Sequence, residues 1–254
     1  NIMSENTMQN KVGVVILAAG DGKRMKFSLP KVMNLLKGKP LIGYLVESVE
    51  ASGVCEKPVV IVNPNHTLVQ DYLGDRAVYV VQEKQLGTGH AAGCAAEVLE
   101  GKVENIIVLY GDMPFLKAES IKRLAENHIT EQNTLTMMTV KVPNFEGKYM
   151  ALQDFGRIIR DANGKIFKSV ELRDTTPTEA LSLELNPCYY CFNANWFWKE
   201  VKNLKNNNTQ GEYYLTDLVD RAMNGYKVSS ISINPEEAIG INTKENLDLA
   251  EKLI

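Results

Sequence analysis

Short unbroken apolar runs alternate along the chain with stretches whose apolar residues recur every three or four positions. The runs VGVVILAAG (12–20), PVVIVNP (58–64), AVYVVQ (77–82), NIIVLYGD (105–112) and TLTMMTVKV (134–142) predict strands. Between them, PLIGYLVESVEASG (40–53), TLVQDYLGD (67–75), GHAAGCAAEVLEG (89–101) and AESIKRLAENH (118–128) predict helices, the first ending at Gly53. Continuous Val/Ile runs suit strands covered on both faces, and strict alternation with helices predicts a parallel sheet. The fold class expected is α/β: a Rossmann-like, mixed but mostly parallel sheet flanked by helices.

The texture changes after residue 143. GRIIRDANGKIFKSVE (156–171) predicts a hairpin turning at Asn163-Gly164. CYYCFNANWFWKEV (188–201) predicts a strand running into a helix. EYYLTDLVDRAMNG (212–225) predicts a helix ending at Gly225, KVSSISI (227–233) a strand, and TKENLDLAEKLI (243–254) a last helix capped by Thr243. One domain over 11–254 is expected, a nucleotide-type half (11–143) followed by a more mixed half (144–254). The first ten residues read as a frayed, tag-like end.

The chain has 254 residues and a formal net charge of −3. That balance argues against a general nucleic-acid or anionic-membrane binder, so the cations must matter by placement. No apolar run approaches the ~20 residues of a membrane span. Four cysteines suit a reducing cytoplasm better than a disulfide scaffold. The single CxxC, Cys188 to Cys191, lies in a predicted strand whose residues three apart face opposite ways, which argues against a metal site. The three histidines have no ligand spacing and read as ordinary packing residues.

Ligands of open α/β sheets sit beyond the carboxyl ends of the strands. Three loops there carry unusual residues. GDGKRM (20–25) combines Gly20 and Gly22, which permit close backbone approach, with Arg24, and Lys31 follows; Arg suits bidentate phosphate contact and Lys a point charge. It is neither a dinucleotide fingerprint nor a P-loop. In QEKQLGTGHA (82–91), Gly87 and Gly89 flank Thr88 before an Ala-rich helix, and Gln82 carries the donors and acceptor needed to read a base edge. In LYGDMP (109–114), Asp112 ends the most apolar strand, where a carboxylate calls for a cationic partner such as Mg²⁺.

Together these loops resemble the sugar-nucleotidyltransferase family. They are most similar to the uridylyltransferase domain of the bacterial bifunctional N-acetylglucosamine-1-phosphate uridylyltransferase/glucosamine-1-phosphate acetyltransferase. LAAGDGKRM…LPKV, QLGTGHA, LYGDMP, FGRI, VE, QGEYYLTD and GIN recur in family order across residues 12–253. The resemblance implies a nucleotide-diphospho-sugar transferase fold and a cytoplasmic enzyme of cell-wall precursor biosynthesis. It would transfer uridylyl from UTP to a sugar 1-phosphate, N-acetylglucosamine 1-phosphate ahead of glucose 1-phosphate, with Mg²⁺. It also implies roles. Leu17, Ala18, Ala19, Gly20 and Gly22 would lie against uridine and its phosphates, and Gln82, Gly87 and Thr88 would read the uracil. Arg24, Lys31 and Asp112 would be catalytic, with Asp112 and Asn242 as the metal ligands. Tyr110, Gly156, Glu171, Asn186, Tyr214 and Thr216 would hold the sugar phosphate. The chain departs from the pattern at Lys23, often Thr in the family. It departs again at Asn186-Pro187-Cys188, where the family has an Asn-Thr/Ser-Gly turn and where Pro and Cys are expected to stiffen and narrow the sugar pocket. No hexapeptide repeats follow, so the acetyltransferase half is expected to be missing. The rival expectations are another sugar or base, and a catalytically silent sugar-nucleotide sensor.

Overall fold

A computed structural model describes residues 8, 11–20 and 29–252. Its strands are β1 (Val12–Leu17), β2 (Leu35–Leu36), β3 (Lys39–Pro40), β4 (Val59–Val62), β5 (Val78–Val81), β6 (Asn105–Tyr110), β7 (Leu135–Lys141), β8 (Gly156–Arg160), β9 (Ile166–Val170), β10 (Glu184–Asn186), β11 (Tyr190–Asn193) and β12 (Val228–Ile233). Ten of them form one sheet in the order β5-β4-β1-β6-β11-β7-β10-β8-β9, with β12 also paired to β7. The first four in that order are parallel throughout, so their carboxyl ends share one edge. The second half is antiparallel apart from β12.

The predicted double burial holds for β1, β4 and β6 but not for β5, which forms the sheet edge and leaves Val78 and Val81 exposed. Every residue of β1 is buried. Val12, Val14 and Ile16 join a core containing Leu45 and Val49 of the helix Leu41–Ser52 and Leu124 of the helix Ala118–Glu131. Val15 and Leu17 point the other way, among Ala91, Ala92 and Phe197. Period-two alternation thus feeds two cores from one strand, which is why the run carries no polar positions. The hairpin turn at Asn163-Gly164 is present, with Gly164 at φ +77°.

Two expected elements differ. The helix drawn from residue 212 begins only at Thr216. The preceding residues bind the loop after β5 instead: Tyr213 N–H donates to the Leu86 carbonyl (2.8 Å), and the Tyr213 carbonyl accepts from Gly89 N–H (2.8 Å). The strand drawn from Cys188 begins only at Tyr190, as β11, and runs into the helix Ala194–Val201 as expected. It and the preceding β10 both lie antiparallel to β7, with Leu185 opposite Val140 and Tyr190 opposite Met137. Residues 186–189 therefore bulge out against only Met138 and Thr139. The bulge opens where the sheet passes from its parallel to its antiparallel half.

Candidate active site

The site assembles on the shared edge of β1, β5 and β6. At β1, the chain continues through buried Leu17, Ala18 and Ala19 to exposed Gly20. Ala18 N–H donates to the Ile61 carbonyl, and the Asn63 side chain donates to the Ala19 carbonyl (2.9 Å). Gly22 and Arg24 lie outside the described residues.

Lys31 opens a short 3-10 turn, Lys31–Met33, clasped by the Asn34 side chain on the Lys31 carbonyl (2.9 Å). That turn packs on the end of β6. A Cβ at Gly111 would stand 2.8 Å from Val32 and 3.2 Å from the Leu17 carbonyl, so only glycine permits the approach. Asp112 follows at once. Its backbone carbonyl accepts from Ile241 N–H (2.9 Å), which brings the loop carrying Asn242 alongside. The Lys31 ammonium donates to both the Asp112 carboxylate and the Asn242 side-chain oxygen. Three residues from positions 31, 112 and 242 thus meet at one point.

That meeting point tests the metal expectation. Two hard oxygen donors, one carboxylate and one carboxamide, converge on a common cation, here the Lys31 ammonium. The donor set fits a divalent ion that keeps most of its shell for phosphate and water. Among the described residues no cluster of three or more His, Cys, Asp or Glu side chains could hold a metal.

At β5, Gln82 is almost wholly buried, its N–H continuing the ladder to the Val62 carbonyl. Gly87 has φ +107°, and a Cβ there would stand 2.6 Å from the Tyr213 carbonyl. The Thr88 hydroxyl accepts from Leu215 N–H (3.0 Å). At this helix start the Gly89 N–H is thus partnered by the Tyr213 carbonyl.

The sugar side is a cavity of about 1,090 Å³ lined by Glu171, Asn186, Tyr214 and Thr216, four of the six residues expected there. Gly156 sits in β8 opposite Asn186, with 3.1 Å from its notional Cβ to the Val170 carbonyl. Tyr110 lies nearer the Thr88 loop, and burial holds its phenol well above the usual range. Asn186 lines the cavity but is bonded into the bulge. Its side-chain nitrogen donates to Ser169 (3.2 Å) and Tyr190 (2.8 Å), and its side-chain oxygen accepts from Cys188 N–H (2.9 Å). Cys188 has φ +65°, a left-handed conformation that favours glycine. Burial pushes its thiol up to about 11, with the Tyr190 hydroxyl opposing and Glu171 adding.

Sequence reasoning missed Asp217 and Asp220 on the same cavity wall. Burial raises both carboxyls above the usual range. Asp217 and Glu171 raise Asp220 further, while Arg221 opposes the shift at Asp217. Glu171, though open to solvent on the cavity side, is likewise raised, chiefly by desolvation. The signal available was TDLVD itself: acidic residues one turn apart on a helix beginning at the site. His90, which contacts Gln82, was also passed over.

The model of the MobA-like NTP transferase domain matches residues 14–211. The chain belongs to that family. It is 39% identical over 241 residues to "Bifunctional protein GlmU" of Clostridium novyi (strain NT), covering 94% of this chain and 51% of that protein. The protein of the same name from Acetivibrio thermocellus is 38% identical over 242 residues, covering 94% and 51%. The chain thus spans about half the length of the curated relatives it matches. A Bacillus anthracis protein described as a candidate glucose-1-phosphate thymidylyltransferase, solved with sucrose, superposes with a TM-score of 0.76. At 20% identity over 95% of this chain and 94% of that one, it shows the shared fold. The chain is therefore a nucleotidyltransferase related to GlmU. No helix among the described residues is long and apolar enough to cross a membrane.

Proposed function

We propose that this nucleotidyltransferase moves uridylyl from UTP to a sugar 1-phosphate, N-acetylglucosamine 1-phosphate ahead of glucose 1-phosphate, releasing pyrophosphate. The observation that carries the proposal is the convergence of Lys31, Asp112 and Asn242 at one point. A cytoplasmic setting fits the reduced cysteines and the phosphorylated substrates.

A sugar-phosphate oxygen attacks the α-phosphorus in line. One P–O bond forms, the bond to the β-phosphate breaks, and no proton has to move. The protein has little covalent work to do, so catalysis is positioning and charge stabilisation. Gln82, Gly87 and Thr88 set the uridine against Leu17, Ala18, Ala19 and Gly20. Lys31, together with Arg24, opposes the charge that grows on the departing pyrophosphate. Asp112 and Asn242 would hold a Mg²⁺ ion, whose contribution when bound is to neutralise charge on the reacting phosphates. Tyr110, Gly156, Glu171, Asn186, Tyr214 and Thr216 orient the sugar phosphate, with Asp217 and Asp220 available to accept from sugar hydroxyls. A second substrate, glucose 1-phosphate, is favoured by one observation: Cys188 places a side chain where a left-handed residue would ordinarily be glycine.

Pyrophosphate release measured over a panel of nucleoside triphosphates and sugar 1-phosphates tests the proposal. UTP with N-acetylglucosamine 1-phosphate is expected to give the highest kcat/KM. Higher turnover with another triphosphate would refute the uridylyl assignment.

A further inference from the structure

Gln82 has a side chain that is only 3% exposed, yet its amide is only half partnered. The side-chain nitrogen lies 2.9 Å from His90 Nδ1 and 3.3 Å from the Gly87 carbonyl. A carbonyl oxygen can only accept, so the group facing Gly87 must be the NH₂ end. Both of its hydrogens are then engaged. The amide oxygen is turned the other way, and no donor among the described residues reaches it. That oxygen is not fully enclosed, so it is free to accept from a donor on a ligand.

His90 holds this arrangement from the third position of the helix Thr88–Cys94. The backbone beside it is pinned through the bond from Gly89 to Tyr213, and its ring lies 6.5 Å from the Tyr213 ring. Burial lowers its pKa, which keeps the ring neutral near pH 7 with the Nδ1 lone pair free to accept. The Gly87 contact is at the long limit for a hydrogen bond, so the shorter His90 bond carries most of the orientation.

We infer that His90 is a positioning residue: it locks the Gln82 amide with its oxygen outward, and so selects a base that presents a ring N–H. Uracil and thymine offer that donor at N3, whereas cytosine presents an acceptor there and meets the amide oxygen acceptor to acceptor. A free amide would rotate and offer NH₂ to cytosine, erasing the distinction. This rests on the proposed role of Gln82 at the base.

The test compares kcat/KM for UTP, dTTP and CTP in the parent, His90→Leu, His90→Asn and Gln82→Ala. Leucine fills the space without an acceptor; asparagine places an oxygen near the position of Nδ1. The parent is expected to prefer UTP and dTTP to CTP. His90→Leu is expected to lower the UTP:CTP ratio at least about tenfold, with His90→Asn staying within about threefold of the parent. Simple loss of packing would lower all three substrates together and leave the ratio alone. A parent ratio kept by His90→Leu but lost by Gln82→Ala overturns the lock and leaves the uridine reading standing. A ratio that survives Gln82→Ala overturns the role of Gln82 as well.

Discussion

His128 ties stability to pH, and replacing it by glutamine isolates the effect. Its ring is buried in the helix Ala118–Glu131, 1% exposed. The Thr136 hydroxyl accepts from the Asn133 side chain (2.9 Å) and shares a hydrogen bond with His128 Nδ1 (2.9 Å). His128 Nε2 has no partner among the described residues. A charged ring carries a hydrogen on both nitrogens, so its Nε2–H would be buried without a partner and its charge would enter the core. Burial accordingly pushes the pKa from its ordinary 6.5 down to about 4. The sign follows. Above pH 6.5 both folded and unfolded forms are neutral and the full stability is present. Between 6.5 and about 4 the unfolded chain takes a proton that the folded chain refuses, so stability falls as pH falls. At about 1.4 kcal/mol per pH unit, the loss totals about 3 kcal/mol. Urea unfolding of the parent and of His128→Gln, followed from pH 7.5 to 4, reads it. Other groups titrate alike in both proteins, so the parent's advantage should shrink by about 3 kcal/mol over that range. A difference between the two proteins that stays level with pH would refute the argument for a buried neutral ring.

Asp112→Asn should cut pyrophosphate release by about a hundredfold or more while UTP still binds by calorimetric titration; activity within about threefold of the parent at saturating Mg²⁺ would remove Asp112 from the metal site. Lys31→Ala and Arg24→Ala should lower kcat more than they raise the UTP KM, since the charge they oppose grows toward the transition state. A pure KM effect in steady-state kinetics would assign them to ground-state binding. Cys188→Gly removes a side chain and a left-handed strain of about 1–2 kcal/mol. It should raise activity on N-acetylglucosamine 1-phosphate relative to glucose 1-phosphate, by a factor between about 10 and 200. An unchanged product ratio under competition would discard the steric account of Cys188.

The parallel half was legible because its signal is redundant. The runs at 12–17, 59–62 and 105–110 are apolar at every position but Gly13 and the two ends of the last, a pattern that only double burial explains. The meeting of Lys31, Asp112 and Asn242 came from family order, since no local spacing joins residues 31 and 242; the structure supplies the cause in the bond from Ile241 to Asp112. What could not be read was long-range pairing. The segment 212–215 has helical composition, yet the glycines at 87 and 89 open a groove that its backbone fills. The start of the CYYCF strand is delayed for a local reason: the Asn186 side chain captures the Cys188 N–H, so the strand begins only at Tyr190. His90 was invisible for a related reason. Its partner Gln82 lies eight residues away across a loop, and a lone histidine carries no spacing to announce that contact.

Mass spectrometry of the products, from the parent supplied with UTP, Mg²⁺ and N-acetylglucosamine 1-phosphate carrying ¹⁸O in its phosphoryl oxygens, addresses the reaction itself. Direct in-line displacement at the α-phosphorus should give UDP-N-acetylglucosamine that holds the label and pyrophosphate that holds none, in equal amounts. UTP bound without either product, or label appearing in the pyrophosphate, would contradict uridylyl transfer at this site.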